Sequence, residues 1–373
     1  MKPDLQNISE PLAALEHGQS ERSGKLDFIT AIPLDVRRGS GCLVGIQTLK
    51  KGLEDLGCEI ALITPKIHLP LSTPNRTLFN EGLRFRRFRE DAITVGFDGD
   101  GYTIARRSRP HVACIKGVLG DILPFESRLS RANLAWQVHL EKLHARRADL
   151  SIVPSAYCAE RLEDLYGVSG AVVVPELIDL DLWRSLLSGV EARRSNRFTV
   201  LCVCRFYARK RVDLLLQAAA LLRNRIPELE IRIVGGGMER KRLHQLSRKL
   251  RLEEIVTWVG DVTLQKLAEE YHHADVFCLP SVQEGFGIVF LEAMAAGKPV
   301  VASRSAAVPE VVKYGYLAEP GEVEDLAAGI ERLYSDSELR SWLGEMGRHS
   351  VERFDVHRVA GMFLDAISGL SSK

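Results

Sequence analysis

The sequence predicts an α/β protein of two facing doubly wound, Rossmann-like domains with a deep cleft between them. Three observations predict it. The chain opens with an apolar run, a glycine-containing loop, an amphipathic helix and a second apolar run, the β-loop-α-β order of a parallel sheet. The same alternation restarts at Phe198. The stretch from Ala148 to Ser155 is also echoed by that from Ala274 to Ser281. Each reads Ala-Asp, four mostly apolar residues, then Pro-Ser, late in a βα series.

Composition narrows the classes of function. The chain has 373 residues, room for roughly two to three domains. With 46% apolar and 27% charged residues it reads as an ordinary globular protein. A net charge of +1 gives no global electrostatic case for nucleic acid. The seven cysteines lack zinc-finger and thioredoxin spacing and read as reduced thiols of a cytoplasmic protein. No apolar run reaches the ~18 residues of a membrane-spanning helix. Residues 1–25 are polar, lack the apolar core of a signal peptide and read as a mobile tail.

The first domain is expected over residues 26–182. Leu26 to Ile32 reads as a strand, and Pro33 to Gly41 as a loop containing Gly39 and Gly41. Ile46, Leu49, Leu53 and Leu56 then recur at helical spacing, with Gly57 as the helix stop. Glu59 to Ile63 reads as the second strand. Residues 66–112 read as irregular and basic, with Phe85 and Phe88 set among Arg84, Arg86, Arg87 and Arg89, and a further cluster at Arg106, Arg107 and Arg109. That composition suits a solvated surface or a patch for an anionic lipid or polyanionic acceptor. Strands follow at Val112–Ile115, Leu150–Pro154 and Val172–Val174, with helices around Leu129–Ala148 and Tyr157–Tyr166. Trp183 to Arg197 reads as a polar connector.

The second domain is expected over residues 198–353, and residues 354–373 carry a last amphipathic helix. Strands are expected at Phe198–Cys204, Glu230–Val234, Ile255–Val259, Val276–Leu279 and Pro299–Ala302. Ligands of open parallel sheets bind at the carboxyl ends of the strands. This sequence places Arg205, Arg209 and Lys210 after the first of those strands and Gly235-Gly236-Gly237 after the second. After Val276–Leu279 comes Glu284-Gly285-Phe286-Gly287, then an apolar helix carrying Glu292. Fixed cations and bare backbone suit a diphosphate. Carboxylates on the same rim suit hydroxyls. Together they describe a sugar nucleotide, although each element has a plainer reading as a cap, a turn or surface charge.

These residues resemble the retaining glycosyltransferases of family 4, which have the GT-B fold. Glu284 and Glu292 resemble that family's E-x7-E motif, Cys204-Arg205-Phe206 through Lys210-Arg211 its G-R-x4-K-G segment, and Ile233 through Gly237 its I-V-G-x-G turn. Val308-Pro309-Glu310-Val311-Val312 fits too. The resemblance is dense from Phe198 to Val312. In the first domain it covers Gly39-Ser40-Gly41 and the turn Pro175 to Asp179.

The resemblance implies roles for the matching positions. Arg205 and Lys210 would stabilise the departing nucleoside diphosphate, and Glu284 with Gly285, Phe286 and Gly287 would hold the donor sugar. The Ile288 and Val289 amides would reach the phosphates, and Glu292 would hold the ribose. Gly39, Gly41 and Gly235 would let backbone approach the donor, and Gly260 and Val262 would border the base. The last helix would cross back to the first domain.

The implied enzyme is a retaining, metal-independent hexosyltransferase of polysaccharide biosynthesis, needing no cofactor beyond its donor. Its acceptor would be a glycan, a lipid-linked glycan or a small molecule. It would be cytoplasmic, with peripheral contact at the inner membrane face left open. Cys204 and Arg211 stand where the family has glycine, Glu176-Leu177 where it has Asn-Gly, and Lys116 where many members have histidine. A sugar-nucleotide epimerase and a non-catalytic nucleotide-sugar-binding homologue are the alternatives on this fold. An NAD oxidoreductase is disfavoured, because Gly39-x-Gly41-x-x-x-Gly45 misses the dinucleotide spacing.

Overall fold

The computed structural model describes residues 24–31, 41–66, 72–106, 110–191 and 196–370. Residues 1–23 of the N-terminal tail, Gly39, Arg107 and Arg109 lie outside the described residues, and Lys25, the last residue of the expected tail, already belongs to β1. The first unit runs β1 (Lys25–Ile29), α1 (Gly41–Asp55), β2 (Glu59–Ile63), α2 (Ser72–Leu83), β3 (Ala92–Phe97) and β4 (His111–Cys114). It continues with α3 (Leu119–Ile122), α4 (Arg128–Arg147), β5 (Leu150–Val153), α5 (Ala156–Tyr166) and β6 (Val172–Val173). The stop of α1 follows from its sequence. Gly57 takes φ +89°, its N–H donates to the Glu54 carbonyl at 2.9 Å, and the Cys58 N–H donates to Leu53 at 3.0 Å.

The second unit begins with α6 (Leu180–Ser188), β7 (Phe198–Val203), α7 (Val212–Leu222), β8 (Leu229–Val234), α8 (Arg240–Lys249) and β9 (Val256–Gly260). Next come α9 (Leu264–His273), β10 (Val276–Leu279), α10 (Ile288–Ala295), β11 (Val300–Ser303), α11 (Val308–Val311) and β12 (Tyr316–Ala318). The chain closes with α12 (Val323–Ser335), α13 (Ser337–Ser350) and α14 (Val356–Ser368).

Each unit has a six-stranded sheet, ordered β2-β1-β3-β4-β5-β6 in the first and β12-β11-β10-β7-β8-β9 in the second. The pairs within them are parallel. The order reverses between β1 and β3 in one sheet and between β7 and β10 in the other, which puts a crevice at the carboxyl ends there.

The internal repeat is a shared local device. Asp149 exchanges hydrogen bonds with the first residue of β4: its N–H donates to the His111 carbonyl at 2.9 Å and its carboxylate accepts the His111 N–H at 3.1 Å. Asp275 does the same to Thr199 at the start of β7, at 2.9 and 2.8 Å. The two strands nevertheless occupy different places. β5 lies one strand in from the edge, whereas β10 borders the reversal of its sheet.

Three stretches differ from expectation. Residues 66–112, read as irregular, contain α2 and the wholly buried β3, which lies between β1 and β4. The stretch read as a polar connector overlaps α6, whose Trp183 packs edge-on against Tyr271 of the second unit. The short helix α11 and edge strand β12 also fall outside the expected elements.

The last helix, α14, lies on α1. Val356, Val359, Ala360, Phe363, Leu364 and Ile367 join the core of the first unit, and a Cβ on Gly52 would press on Val356 and Ala360. The outgoing and returning chain segments run side by side where they cross. Ile178 and Asp355 form an isolated parallel bridge, and the Ile178 N–H donates to the Phe354 carbonyl at 3.0 Å.

Candidate functional site

The carboxyl ends of the two sheets meet at the cleft. Gly285, which follows β10, lies so close to the segment after β4 that a Cβ on it would sit 3.2 Å from Gly117 Cα and 3.3 Å from the Lys116 carbonyl oxygen.

In the second unit, the chain leaves β7 through Cys204 and Arg205 into a single 3-10 turn, Ala208–Lys210. That turn aims Lys210 at Glu284, Nζ to Oε1 at 2.5 Å, with both side chains largely buried. Arg211 holds the left-handed conformation, φ 49° and ψ 39°, in the place where glycine was expected. A non-glycine residue there costs on the order of 1–2 kcal/mol. The Arg211 side chain is anchored to Asp213 at 3.2 Å, so the turn survives the substitution. Burial pushes the Glu284 carboxyl up. The Lys210 and Arg209 cations outweigh burial, and Glu284 ends below the ordinary carboxylate range. It is therefore a charged acceptor held in a fixed place.

Gly287 takes φ +94°, which only glycine accepts freely, and a Cβ there would strike the Phe290 ring. It caps α10, whose buried residues are Phe290, Leu291, Glu292, Ala293 and Met294. The first amides of a helix, here those of Ile288 and Val289, have no acceptor within it, so the turn presents donors. Glu292 accepts a hydrogen bond from the Tyr271 hydroxyl at 2.8 Å. Burial raises its carboxyl to about 7, despite that hydrogen bond. The two carboxylates of one motif are thus set differently: Glu284 is locked as an anion and Glu292 is poised to titrate near neutrality.

Arg205 lies apart from this pair, with Nη1 3.1 Å from the exposed Asp261, between Gly260 and Val262. Gly235, at φ +111°, lets β8 turn beneath this loop, since a Cβ would collide with the Cys204 carbonyl. Gly260 also has positive φ, +81°, and Val262 packs on the core. Gly41 is the exposed first residue of α1.

The first unit brings together groups whose pairing sequence reasoning missed. Asp100, buried after β3, accepts from Ala31 N–H at 2.7 Å, Asn80 Nδ2 at 2.9 Å and Arg76 Nε at 2.7 Å. Asp98 accepts the Lys116 N–H at 2.9 Å. Burial raises its carboxyl in spite of Arg76. Lys116 Nζ meets Glu176 Oε2 at 2.9 Å, both side chains nearly buried. A Cβ on Gly45 of α1 would collide with that same carboxylate oxygen. Lys116 and Glu176, the two departures from the family pattern in this domain, are therefore each other's partner. Beneath them His111 and His144 share a hydrogen bond between their Nε2 atoms at 2.8 Å, and burial holds His144 near 4.

The basic cluster from Arg84 to Arg89 lies away from the cleft. Arg89 binds Asp27 at 2.8 Å and Glu59 at 2.5 Å, close to the amino ends of β1 and β2. The exposed Arg84, Phe85, Arg86 and Arg87 therefore sit at the opposite end of the sheet from the site. Among the described residues no group of three or more His, Cys, Asp or Glu is placed to hold a metal. None of the described helices is long and apolar enough to cross a membrane.

Residues 185–350 match the family model of the glycosyl transferases group 1. The second domain belongs to that family. Among curated proteins, this chain is 32% identical over 219 residues to a GDP-mannose-dependent alpha-(1-6)-phosphatidylinositol monomannoside mannosyltransferase of Mycolicibacterium smegmatis. That match covers 54% of this chain and 57% of the relative. It is 30% identical over 238 residues to the sulfoquinovosyl transferase SQD2 of Arabidopsis thaliana, covering 59% of this chain and 44% of that one. The chain thus spans about half the length of the curated relatives it matches.

Solved structures extend the likeness in fold to both domains. A sucrose-phosphate synthase from Thermosynechococcus elongatus superposes with a TM-score of 0.77 at 21% identity, covering 93% of this chain and 99% of that one. Anabaena Alr3699/HepE, solved with UDP and glucose, gives 0.69 at 22% identity, covering 93% and 100%. The two facing α/β domains have the GT-B fold.

Proposed function

We propose that this chain is a retaining, metal-independent glycosyltransferase of the hexosyl type. It would move a sugar from a nucleoside-diphosphate donor to a glycan, a lipid-linked glycan or a small molecule. The observation that carries the reading is the Lys210–Glu284 pair, a largely buried cation and a buried anion at the carboxyl edge of one sheet, next to a helix N-terminus opened by Gly287. In this reading Lys210 and Arg205 meet the charge that develops on the leaving diphosphate, a place where one preorganised donor is worth about 10²–10³ in rate. They supply the positive charge, so no metal or other cofactor is required. Glu284 and the Gly285–Gly287 backbone accept and donate to the sugar hydroxyls. The Ile288 and Val289 amides face the phosphates, and Glu292 holds the ribose. Gly41, Gly235, Gly260 and Val262 border the donor.

The base stays open, because one relative's name specifies GDP-mannose and one similar structure holds UDP and glucose. The Arg84–Arg87 loop, with Phe85 90% exposed, would carry any peripheral contact of a cytoplasmic enzyme with an anionic membrane face.

Calorimetric titration with uridine, guanosine and adenosine diphosphates and their sugars tests the site. One base is expected to bind, and Glu292→Ala to abolish that binding. Lys210→Ala is expected to lower turnover about 10²–10³-fold. No binding by any of the nucleotides, or a Glu292→Ala variant that binds and turns over normally, would sink the reading.

A further inference from the structure

The strongest contacts across the cleft converge on the first turn of α5. Its cap, Ser155, accepts the Cys158 N–H at 3.1 Å and also donates its hydroxyl to the carbonyl of Gly285 at 2.8 Å. The Cys158 thiol points at the same carbonyl, at 3.3 Å. Glu310, on α11 of the second domain, places its two carboxylate oxygens on the N–H groups of Ala156 and Tyr157, each at 2.8 Å. These amides are the first two of an eleven-residue helix and have no acceptor within it. The other domain therefore supplies half of this helix's cap. A third connection starts in the cationic loop. Arg209 Nε donates to Gln283 Oε1 at 3.0 Å, Gln283 Nε2 donates to Asp121 Oδ2 at 3.0 Å, and the Tyr157 hydroxyl donates to the same oxygen at 2.8 Å. On its other side the Gly285 loop abuts the domain crossing, where Phe286 packs edge-on against Phe354 at 5.3 Å.

We propose that Glu310 and the first turn of α5 form an interdomain latch that sets the position of Gly285, at the centre of the loop from Gln283 to Gly287, and that Glu310, Ser155 and Gln283 are positioning residues for this donor loop. The carboxylate of Glu310 reaches across the gap to α5, whereas its backbone carbonyl stays within its own domain, accepting from Arg353 at 3.0 Å. The carboxylate is satisfied when the domains are closed and returns to water when they part. The same movement frees the Gly285 carbonyl and breaks the Gln283–Asp121 bond. Closure and loop geometry are thus one event, biased by charge-assisted bonds across the gap. The consequence for catalysis rests on the sugar-transfer reading above, whereas the latch does not.

Two measurements on the full chain separate these. Hydrogen exchange without any nucleotide reads the latch directly. In Glu310→Ala the amides of Ala156 and Tyr157 are expected to lose protection while those later in α5 keep theirs, and small-angle scattering is expected to show a larger radius of gyration. Steady-state assays with the donor identified by calorimetry read the consequence. Here kcat should fall about 10- to 100-fold, the scale of one or two charge-assisted hydrogen bonds, with the Kd for the nucleoside diphosphate unchanged. Glu310→Asp should recover part of both signals.

Unchanged exchange and scattering in Glu310→Ala would overturn the latch, as would an equal loss of diphosphate affinity, which would mark a local role in the second domain. Should no donor bind while exchange still responds, the sugar-transfer reading fails and the latch stands.

Discussion

The two edges that face each other across the cleft are built in opposite ways. The second domain's edge comes from two short stretches, Arg205–Arg211 and Glu284–Glu292, with glycines that clear space for backbone. The first domain's edge is a set of long-range pairs, such as Arg76 with Asp100 and Lys116 with Glu176, set on a floor of buried histidines. Local construction keeps the parts of the second edge together, and its Gly285 loop alone takes its position from the other domain. Long-range construction makes the first edge a product of the whole domain's folding, so it can be altered pair by pair without touching the donor side.

Removing a member of the first edge should therefore damage stability and spare nucleotide binding. The largest effect is expected from Asp100→Ala. It leaves Arg76 with only the more distant Asp98 carboxylate, at 3.9 Å, and leaves the Ala31 N–H and the Asn80 amide without their carboxylate. A loss of about 3–5 kcal/mol is expected in urea denaturation. Calorimetry at low temperature should still find diphosphate binding. Loss of that binding in a folded variant would break the division between the two edges.

The Lys116–Glu176 pair sharpens it. Either single change, Lys116→Met or Glu176→Gln, leaves an uncompensated buried charge or a broken bond. The double variant removes both, so it should be more stable than the sum of the singles by about 1–3 kcal/mol in a double-mutant cycle. Simple additivity would show that the pair is solvated and not part of a closed edge.

The smallest effect concerns protons. The Glu292 carboxyl, raised by burial to about 7, must ionise before it can accept two ribose hydroxyls. Donor affinity should thus weaken about tenfold as pH falls from about 8 to 6, and the dependence should flatten in Glu292→Gln. Tyr271→Phe removes a hydrogen bond that favours the anion, so the transition should move to higher pH. The sign for stability is opposite. A carboxyl whose folded-state value lies above its unfolded one favours the fold while protonated, and that contribution is lost as pH rises through about 7. A flat affinity profile in the wild-type protein would argue that Glu292 makes no contact with the donor.

The same contrast explains what could be read from the sequence. The second domain was legible because its strands are short apolar runs bounded by glycines, and because Glu284 and Glu292 lie on one loop-helix unit. The first domain hid its parts. β3, Ala92–Phe97, is six buried residues inside a segment whose arginines suggested a surface, yet Arg89 there neutralises Asp27 and Glu59. Lys116 and Glu176 lie 60 residues apart, and Glu310 lies 154 residues from Ala156, distances that no periodicity spans. α6 was obscured by its exposed polar face, although Leu180 and Trp183 face the core.

The side-by-side crossing at Ile178 and Asp355 sets an order of assembly. The first domain's core is incomplete until α14 covers α1, and α14 is made only after the whole of the second domain. During synthesis the amino-terminal half must wait with the apolar face of α1 uncovered, inverting the usual sequence in which the first domain to emerge is the first to finish.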